Sequence, residues 1–194
     1  MQKLLKRIFD MVVSFLILII LFPIGFLIAL LIKLDSKGPV FFFQNRPGLK
    51  GKIFKIYKFR TMNLGSEVMI KGKEVMKDDV RVTRIGKFLR RTKIDEIPQI
   101  INVLKGDMSL IGPRPERIDS LKDYDEEISK RLNVLPGMTG LAQVCGNIYL
   151  PLSERYKLDV YYVENFSLLL DLKIMVRTVG VVLLGEEKFK NKRI

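Results

Sequence analysis

Asp95 and Glu96 stand side by side in the stretch TKIDEIPQIINVLKGD, and further on Arg114 stands between Pro113 and Pro115 in GPRPE. These are the residues of the chain best suited to chemistry. A carboxylate is already ionised at neutral pH and can attack an electrophile without a base to activate it. Adjacent residues at a helix start point about 100° apart, so Asp95 and Glu96 cannot serve one atom together. One can attack while the other holds a divalent cation through oxygen. The two prolines fix backbone angles on either side of Arg114, so its planar fork is offered from a stiff chain and suits bidentate capture of phosphate oxygens. Each feature also has a plain structural reading, Asp95 as a helix cap and Pro-Arg-Pro as an exposed polyproline-like turn.

The chain has no histidine and one cysteine, Cys145. That removes the usual general base, the histidine-activated nucleophiles, cysteine zinc sites within the chain and any internal disulfide. Catalysis falls to carboxylates, lysine, arginine, hydroxyls or a hard metal ion bound through oxygen. Lysine and arginine total 34 against 21 acidic residues, a net charge of +13, which favours anionic partners without choosing among nucleic acid, lipid surface and phosphorylated ligands. Length and a 48% hydrophobic content fit one domain with a real core.

Elements that could hold the carboxylates follow from patterning. Ile97, Ile100, Ile101 and Leu104 repeat as one buried helix face, with Asp95 at the cap position, Pro98 in the first turn and Gly106 as the stop. At a helix start the macrodipole favours an ionised carboxylate. Upstream, Val40–Gln44 and Ile53–Phe59 are aromatic and β-branched around Pro47, Gly48 and Gly51, the pattern of a β-hairpin. Its second half is basic, with Lys58 and Arg60. The polar stretch from Asn63 to Asp79 reads as a surface loop or short helix. Gly137, Gly140 and Gly146 read as turn formers, and no GxGxxG or P-loop pattern is present.

The uncharged run from Met11 to Ile32 is long enough to cross a bilayer, which takes roughly 20 apolar residues, and is too long for a signal peptide. Pro23 sits near its middle. Basic residues flank both ends, so a kinked spanning helix and a helix that bends and returns to the same anionic leaflet are both open. SLLLDLKIMVRTVGVVLLG, near the C-terminus, suits a helix lying in the interface or one packed on the core. The tail GEEKFKNKRI is expected to fray.

Taken in order, the apolar run with its proline, PVFFFQNRPG, KFRTM, IDEIPQIINVLKGDMSLIGPRP, LPGMTGLAQV and DVYY closely resemble the bacterial sugar transferases known as monotopic phosphoglycosyl transferases, in their short catalytic-domain-only form. The resemblance implies an α+β fold, mainly helical with a small β-hairpin. A re-entrant helix-break-helix anchor over residues 1–36 breaks at Pro23, a catalytic domain over 37–185 carries interfacial amphipathic helices, and a charged tail covers 186–194. It implies transfer of a sugar 1-phosphate from a UDP-sugar to a polyprenol phosphate such as undecaprenyl phosphate, with release of UMP, in two stages through a phosphosugar-aspartate. Asp95 is then the nucleophile, Glu96 with Asp95 the support for Mg²⁺, and Arg114, Lys58, Arg90 and Arg60 the substrate-side cations. The implied setting is the cytoplasmic face of the bacterial inner membrane, at the start of surface glycan synthesis. Nucleic acid is not an implied partner, and a homo-oligomer stays open. Many members of that family carry an arginine where this chain has Asn147, so no role is transferred to that position. A non-catalytic, membrane-anchored basic module that binds anionic lipid or nucleic acid is the rival reading; it accounts for the charge and the apolar run but gives no reason for the acidic pair and the Pro-Arg-Pro.

Overall fold

A computed structural model describes residues 1–66 and 79–190. Most of the polar stretch from Asn63 to Asp79, and the last four residues of the tail, lie outside them. The chain is mainly helical with a small antiparallel strand pair and an apolar N-terminal helix.

The apolar run forms α1, Gln2–Asp35, continuous through Pro23. Its middle is exposed along Phe15, Leu16, Ile19, Ile20, Phe22 and Phe26, whereas Asp10, Ser14, Ile28 and Ile32 are buried. It is the one helix among the described residues long and apolar enough to cross a membrane. β1 (Phe41–Pro47) pairs antiparallel with β2 (Ile53–Phe59), so the expected hairpin forms, its first strand running on to Pro47. The turn uses left-handed backbone at Lys50 and Gly51.

The helical stretch expected around the acidic pair is split. α2 (Arg84–Arg91), capped by Thr83 accepting from the Gly86 N–H at 2.9 Å, ends where Lys93 takes a left-handed conformation. A short 3₁₀ turn, Ile94–Glu96, precedes α3, Gln99–Lys105. Asp95 is therefore not the helix cap. Pro98 occupies that position without a side-chain cap, and Asp95 is buried inside the turn. The buried face shifts accordingly to Gln99, Ile100, Asn102 and Val103, with Ile97, Ile101 and Leu104 half-buried. Gly106 ends α3 as expected, in left-handed backbone with its N–H turned back to the carbonyls of Asn102 and Val103.

A second strand pair was not foreseen: β3 (Ser109–Ile111) runs parallel to β4 (Gly137–Thr139). Between them in the chain comes α4 (Glu126–Ser129). After β4 follow α5 (Leu141–Val144), α6 (Leu152–Glu164) and α7 (Leu168–Leu184). Gly137 and Gly140 serve this strand pair rather than turns. A Cβ on Gly137 would lie 2.1 Å from the Gly112 nitrogen, and one on Gly140 would lie 2.1 Å from the Gly112 carbonyl oxygen, while Gly140 itself is extended. Backbone here packs on backbone. Gly146, by contrast, does take the left-handed conformation of a turn residue.

Ile111, Leu141, Val144, Cys145, Tyr162 and Ile174 make one core cluster; Ile28 and Ile32 of α1 join Phe59 and Leu89 in another. α7 buries Asp171 and Ile174 in the core and leaves Leu169, Leu172, Val176, Val179 and Leu183 exposed, an apolar stripe at helical spacing. The described part of the tail expected to fray, up to residue 190, turns back over α7 at Glu186–Phe189. The Phe189 ring lies 5.3 Å from the Arg177 guanidinium and close enough to Gly180 that a Cβ there would come within 3.1 Å of it.

Both ends of α1 dock on the helices that border the acidic turn. Arg7 donates to the carbonyls of Val103 (2.7 Å) and Leu104 (3.3 Å) at the C-terminus of α3. At the other end, Asp35 accepts from the Ile85 N–H (3.0 Å) at the N-terminus of α2. A cation at a helix C-terminus and an anion at an N-terminus each answer unpaired backbone groups and the macrodipole. Lys6 adds a 2.7 Å contact to Asp171 on α7, and Asp10 accepts from the Ser109 hydroxyl at 2.7 Å.

The close packing of Gly112 on Gly137 yields a direct expectation. Gly137→Ala should cost about 1–3 kcal/mol, the range for overpacking, read as a lowered thermal midpoint of the full chain in detergent or nanodiscs. Gly65→Ala, at a position with open space around it, should perturb less despite its backbone strain.

Candidate active site

Glu96 is the centre of the site. Arg114 grips it with both arms, Nη1 to Oε2 at 3.0 Å and Nη2 to Oε1 at 2.5 Å. Lys58 donates to the same Oε1 at 2.7 Å. The strand β2, the Pro-Arg-Pro segment and the acidic turn thus meet on one carboxylate. All three side chains are largely buried, and the pairing carries the cost of removing them from water. Burial alone would push the Glu96 carboxyl up, but the Arg114 guanidinium and the Lys58 ammonium outweigh it and hold Glu96 well below the usual carboxylate range. Arg114, drawing chiefly on Glu96, is held even more firmly protonated than usual. Lys58 is pushed down by burial, against the pull of Glu96, because two cations share one anion.

Asp95 differs from its neighbour. It is buried and accepts no hydrogen bond from the described residues. Burial and the adjacent Glu96 charge raise its carboxyl above the usual range, opposed by Lys58, Arg90 and Lys93. The helix-start environment expected to favour its ionised form is replaced by a desolvated turn whose nearby cations only partly offset burial. Arg90 reaches the site from α2, anchored by its Nε to the Thr61 hydroxyl at 3.0 Å.

The rigidity expected of Pro-Arg-Pro is present and comes from more than proline. Each carbonyl of the tripeptide is held: Pro113 by the Gly137 N–H at 2.9 Å, Arg114 by Arg131 Nη2 at 2.8 Å, and Pro115 by Arg46 Nη1 at 3.4 Å. Arg131 is itself fixed. It pairs with Asp159 at 2.6 Å, both side chains almost wholly buried, bonds the Tyr124 hydroxyl, and lies over the rings of Tyr124 and Tyr156 at 5.4 and 4.7 Å. Asn102, fully buried, accepts from the Tyr57 N–H at 3.0 Å and donates to the Lys55 carbonyl at 2.8 Å, which fixes β2, and with it Lys58, against α3.

Arg60 lies with the membrane helix instead of the carboxylates. Its guanidinium donates to the carbonyls of Lys37 and of Ser36, the latter at 2.8 Å, and pins the chain as it leaves α1. Pro23 sits inside α1, exposed, with no part in the cluster.

Sequence patterning did not find Asn102, Arg46, Arg131 or Asp159. Asn102 carried a signal, a polar amide inside an apolar helical repeat that needs partners if buried. Arg131 carried none, being one cation among many.

No cluster of three or more potential metal-binding side chains exists among the described residues. Glu96 Oε1 already accepts two bonds and Oε2 one, which leaves little acceptor capacity for an ion there, whereas Asp95 accepts none from the described residues. That donor set fits Mg²⁺ in the form that keeps most of its ligands as water and substrate phosphate, with one or two protein carboxylates.

The sequence profile described as bacterial sugar transferase matches residues 1–185. The chain is 46% identical over 187 residues to the uncharacterized sugar transferase EpsL of Bacillus subtilis, covering 94% of this chain and 89% of that protein. It is 44% identical over 190 residues to the exopolysaccharide production protein PSS of Rhizobium leguminosarum, covering 92% of this chain and 95% of that protein. It is also 44% identical over 188 residues to the UDP-N-acetylgalactosamine-undecaprenyl-phosphate N-acetylgalactosaminephosphotransferase of Aeromonas hydrophila, covering 93% of this chain but 44% of that longer protein.

Removing the clamp on Arg114 tests the geometry. Arg131→Met should leave the buried Asp159 carboxylate without its ion-pair partner and cost about 3–5 kcal/mol, measured by thermal unfolding; the joint change with Asp159→Leu should recover much of that loss.

Proposed function

From the premise that the chain belongs to the bacterial sugar transferase family, we propose that it transfers a sugar 1-phosphate from a UDP-sugar to a polyprenol phosphate. The observation that carries this reading is the pair of adjacent carboxylates driven in opposite directions, within reach of Lys58, Arg90 and Arg114. Glu96, held ionised by two cations, organises the site. Asp95, poorly solvated and without hydrogen bonds to blunt it, is the better nucleophile. Two titratable neighbours with different environments take different roles.

In the first stage an Asp95 carboxylate oxygen attacks the phosphorus that carries the sugar. The bond from that phosphorus to the bridging oxygen breaks, and UMP leaves with the electron pair. In the second stage an oxygen of the polyprenol phosphate attacks the same phosphorus and the aspartyl bond breaks, which returns Asp95 as a carboxylate and gives a polyprenyl diphosphosugar. No histidine is needed, because neither attacking group has to lose a proton at neutral pH. The stiffly held Arg114 and the Lys58 ammonium stabilise charge as it moves to the leaving phosphate, with little reorganisation at the moment of reaction. Asp95, with the remaining acceptor capacity of Glu96, would hold Mg²⁺, which when bound would neutralise phosphate charge.

The acceptor's reactive end lies at headgroup depth, and α1 suits delivery there. A straight helix of its 34 residues would carry its ends about 50 Å apart. Both ends, however, bind helices that border one short turn, which favours a bend at Pro23 and a return to the leaflet of entry. The exposed stripe of α7 would lie along the same interface. With the basic flanks on the anionic side, the site faces the cytoplasm at the inner membrane. The rival reading, a basic lipid- or nucleic-acid-binding module, gives no role to a buried, oppositely tuned carboxylate pair.

Purified protein incubated with a panel of UDP-sugars, undecaprenyl phosphate and Mg²⁺ should release UMP from at least one donor, and Asp95→Asn should lower that release by at least about a thousandfold while remaining folded. The pH profile follows from the raised Asp95 carboxyl. Activity needs the ionised form, so kcat/KM falls as pH drops through a value above the usual 3.9 or so. Arg90→Met removes a cation that favours ionisation and should move this acid limb to higher pH. For topology, single cysteines at positions 2 and 37, read against the buried Cys145, should label from the same side of the membrane.

A further inference from the structure

Among the described residues, three without a glycine's freedom have left-handed backbone: Lys50, Lys93 and Asn147. Two of these three are held by a single carboxylate. Glu186 Oε1 accepts from Asn147 Nδ2 at 2.8 Å and lies 3.2 Å from the Lys93 ammonium. Glu186 is largely buried at this contact, with 12% of its side chain exposed, and its charge also reaches Arg114.

Lys93 is the residue that turns the chain from α2 into the catalytic turn. Its φ of 59° is one that side chains other than asparagine and aspartate adopt with reluctance. Its carbonyl then accepts from the Glu96 N–H at 3.2 Å, and the Ile94 carbonyl accepts from Ile97 at 3.1 Å. That conformation and these two bonds together form the turn from which Asp95 leaves the backbone. The Lys93 ammonium acts on the Asp95 charge without a hydrogen bond to it, and its ion-pair partner among the described residues is Glu186. The restraint arrives from the C-terminal segment, whose own seat is well defined: Phe189 packs at Gly180, and Lys190 lies so near Gly146 that a Cβ there would come within 3.0 Å of the Lys190 Cα.

We propose that Glu186 is a positioning residue for the transfer reaction. Its carboxylate ties Lys93 to Asn147, and so holds the Ile94–Glu96 turn in the one conformation that points Asp95 into the site. The proposal rests on the reading of Asp95 as the attacking carboxylate. It assigns Asn147 a task in this chain, as the second, neutral hand on Glu186, and makes the folded-back C-terminal segment part of the active site's support without contact to substrate.

Glu186→Gln keeps the shape and the acceptor oxygen for Asn147 but drops the charge facing Lys93. In the full chain in nanodiscs, the backbone amides of Glu96 and Ile97 should exchange hydrogen about tenfold faster, and kcat for UMP release should fall about tenfold. KM for the UDP-sugar and the thermal midpoint should hardly move. Lys93→Met should reproduce both effects, and the double variant should be no worse than either single one. Unchanged exchange at the turn in Glu186→Gln, losses that multiply in the double variant, or a drop in thermal midpoint with no change at the turn would each overturn the proposal. The exchange measurement needs no turnover. A wild-type protein that released no UMP would therefore sink the functional reading and still leave the positioning claim decided.

Discussion

One carboxylate shared by two cations is the constraint from which the site is built. Glu96 sits between Arg114 and Lys58, and these three residues come from a turn, a proline-bounded loop and a strand that are far apart in sequence. Withdrawing Glu96 leaves two cations buried without their counter-ion, a loss of several kcal/mol, whereas withdrawing Arg114 or Lys58 leaves the other in place. The shared carboxylate also sets the electrostatics of the neighbouring position. With Glu96 committed as an anion, Asp95 lies away from water and beside a like charge, and both raise its carboxyl above the usual range. The cations that would receive the substrate's phosphates are the same ones that keep Glu96 charged, so binding and reactivity have a common source.

The membrane helix belongs to this construction. Arg7 and Asp35 cap opposite termini of the two helices on either side of the acidic turn. The polarity is the favourable one at both ends, cation on carbonyls and anion on an amide. Arg60 then fixes the chain where it leaves the helix. Any movement of this apolar helix would act directly on α2 and α3, the elements that flank the acidic turn. The helix and the turn are thus joined through hydrogen bonds to backbone.

Much of this was legible in the sequence, for identifiable reasons. The hairpin announced itself through aromatic and β-branched runs around turn residues, the apolar helix through sheer length, and the stop of α3 through Gly106. The acidic pair and Arg114, each with a plain structural reading alone, stood out because they occur together and in order with the other motifs. Other features depended on contacts no local pattern encodes. The left-handed Lys93, which breaks the helical repeat and moves Asp95 from cap to buried turn, is stabilised from Glu186 at the far end of the chain. The parallel pairing of β3 with β4 brings Gly112 against Gly137 and Gly140, and from the sequence the latter two looked like turns. Arg131 and Asp159 find each other across loops, and Arg60 resembled Lys58 until its carbonyl partners were known. Local propensity wrote the elements, while tertiary contact chose which polar residues would face one another.

The central claim is that a sugar phosphate is carried for a moment on the side chain of Asp95. Turnover of wild-type protein with a competent UDP-sugar, quenched in acid before the polyprenol phosphate is added and digested for peptide mass spectrometry, tests it most directly. The account predicts a peptide containing residues 94–98 heavier by one sugar phosphate, with fragmentation that places the added mass on Asp95 and hydroxylamine that removes it. The same mass on Glu96 or any other side chain, or no modified peptide from a preparation that releases UMP, would contradict it.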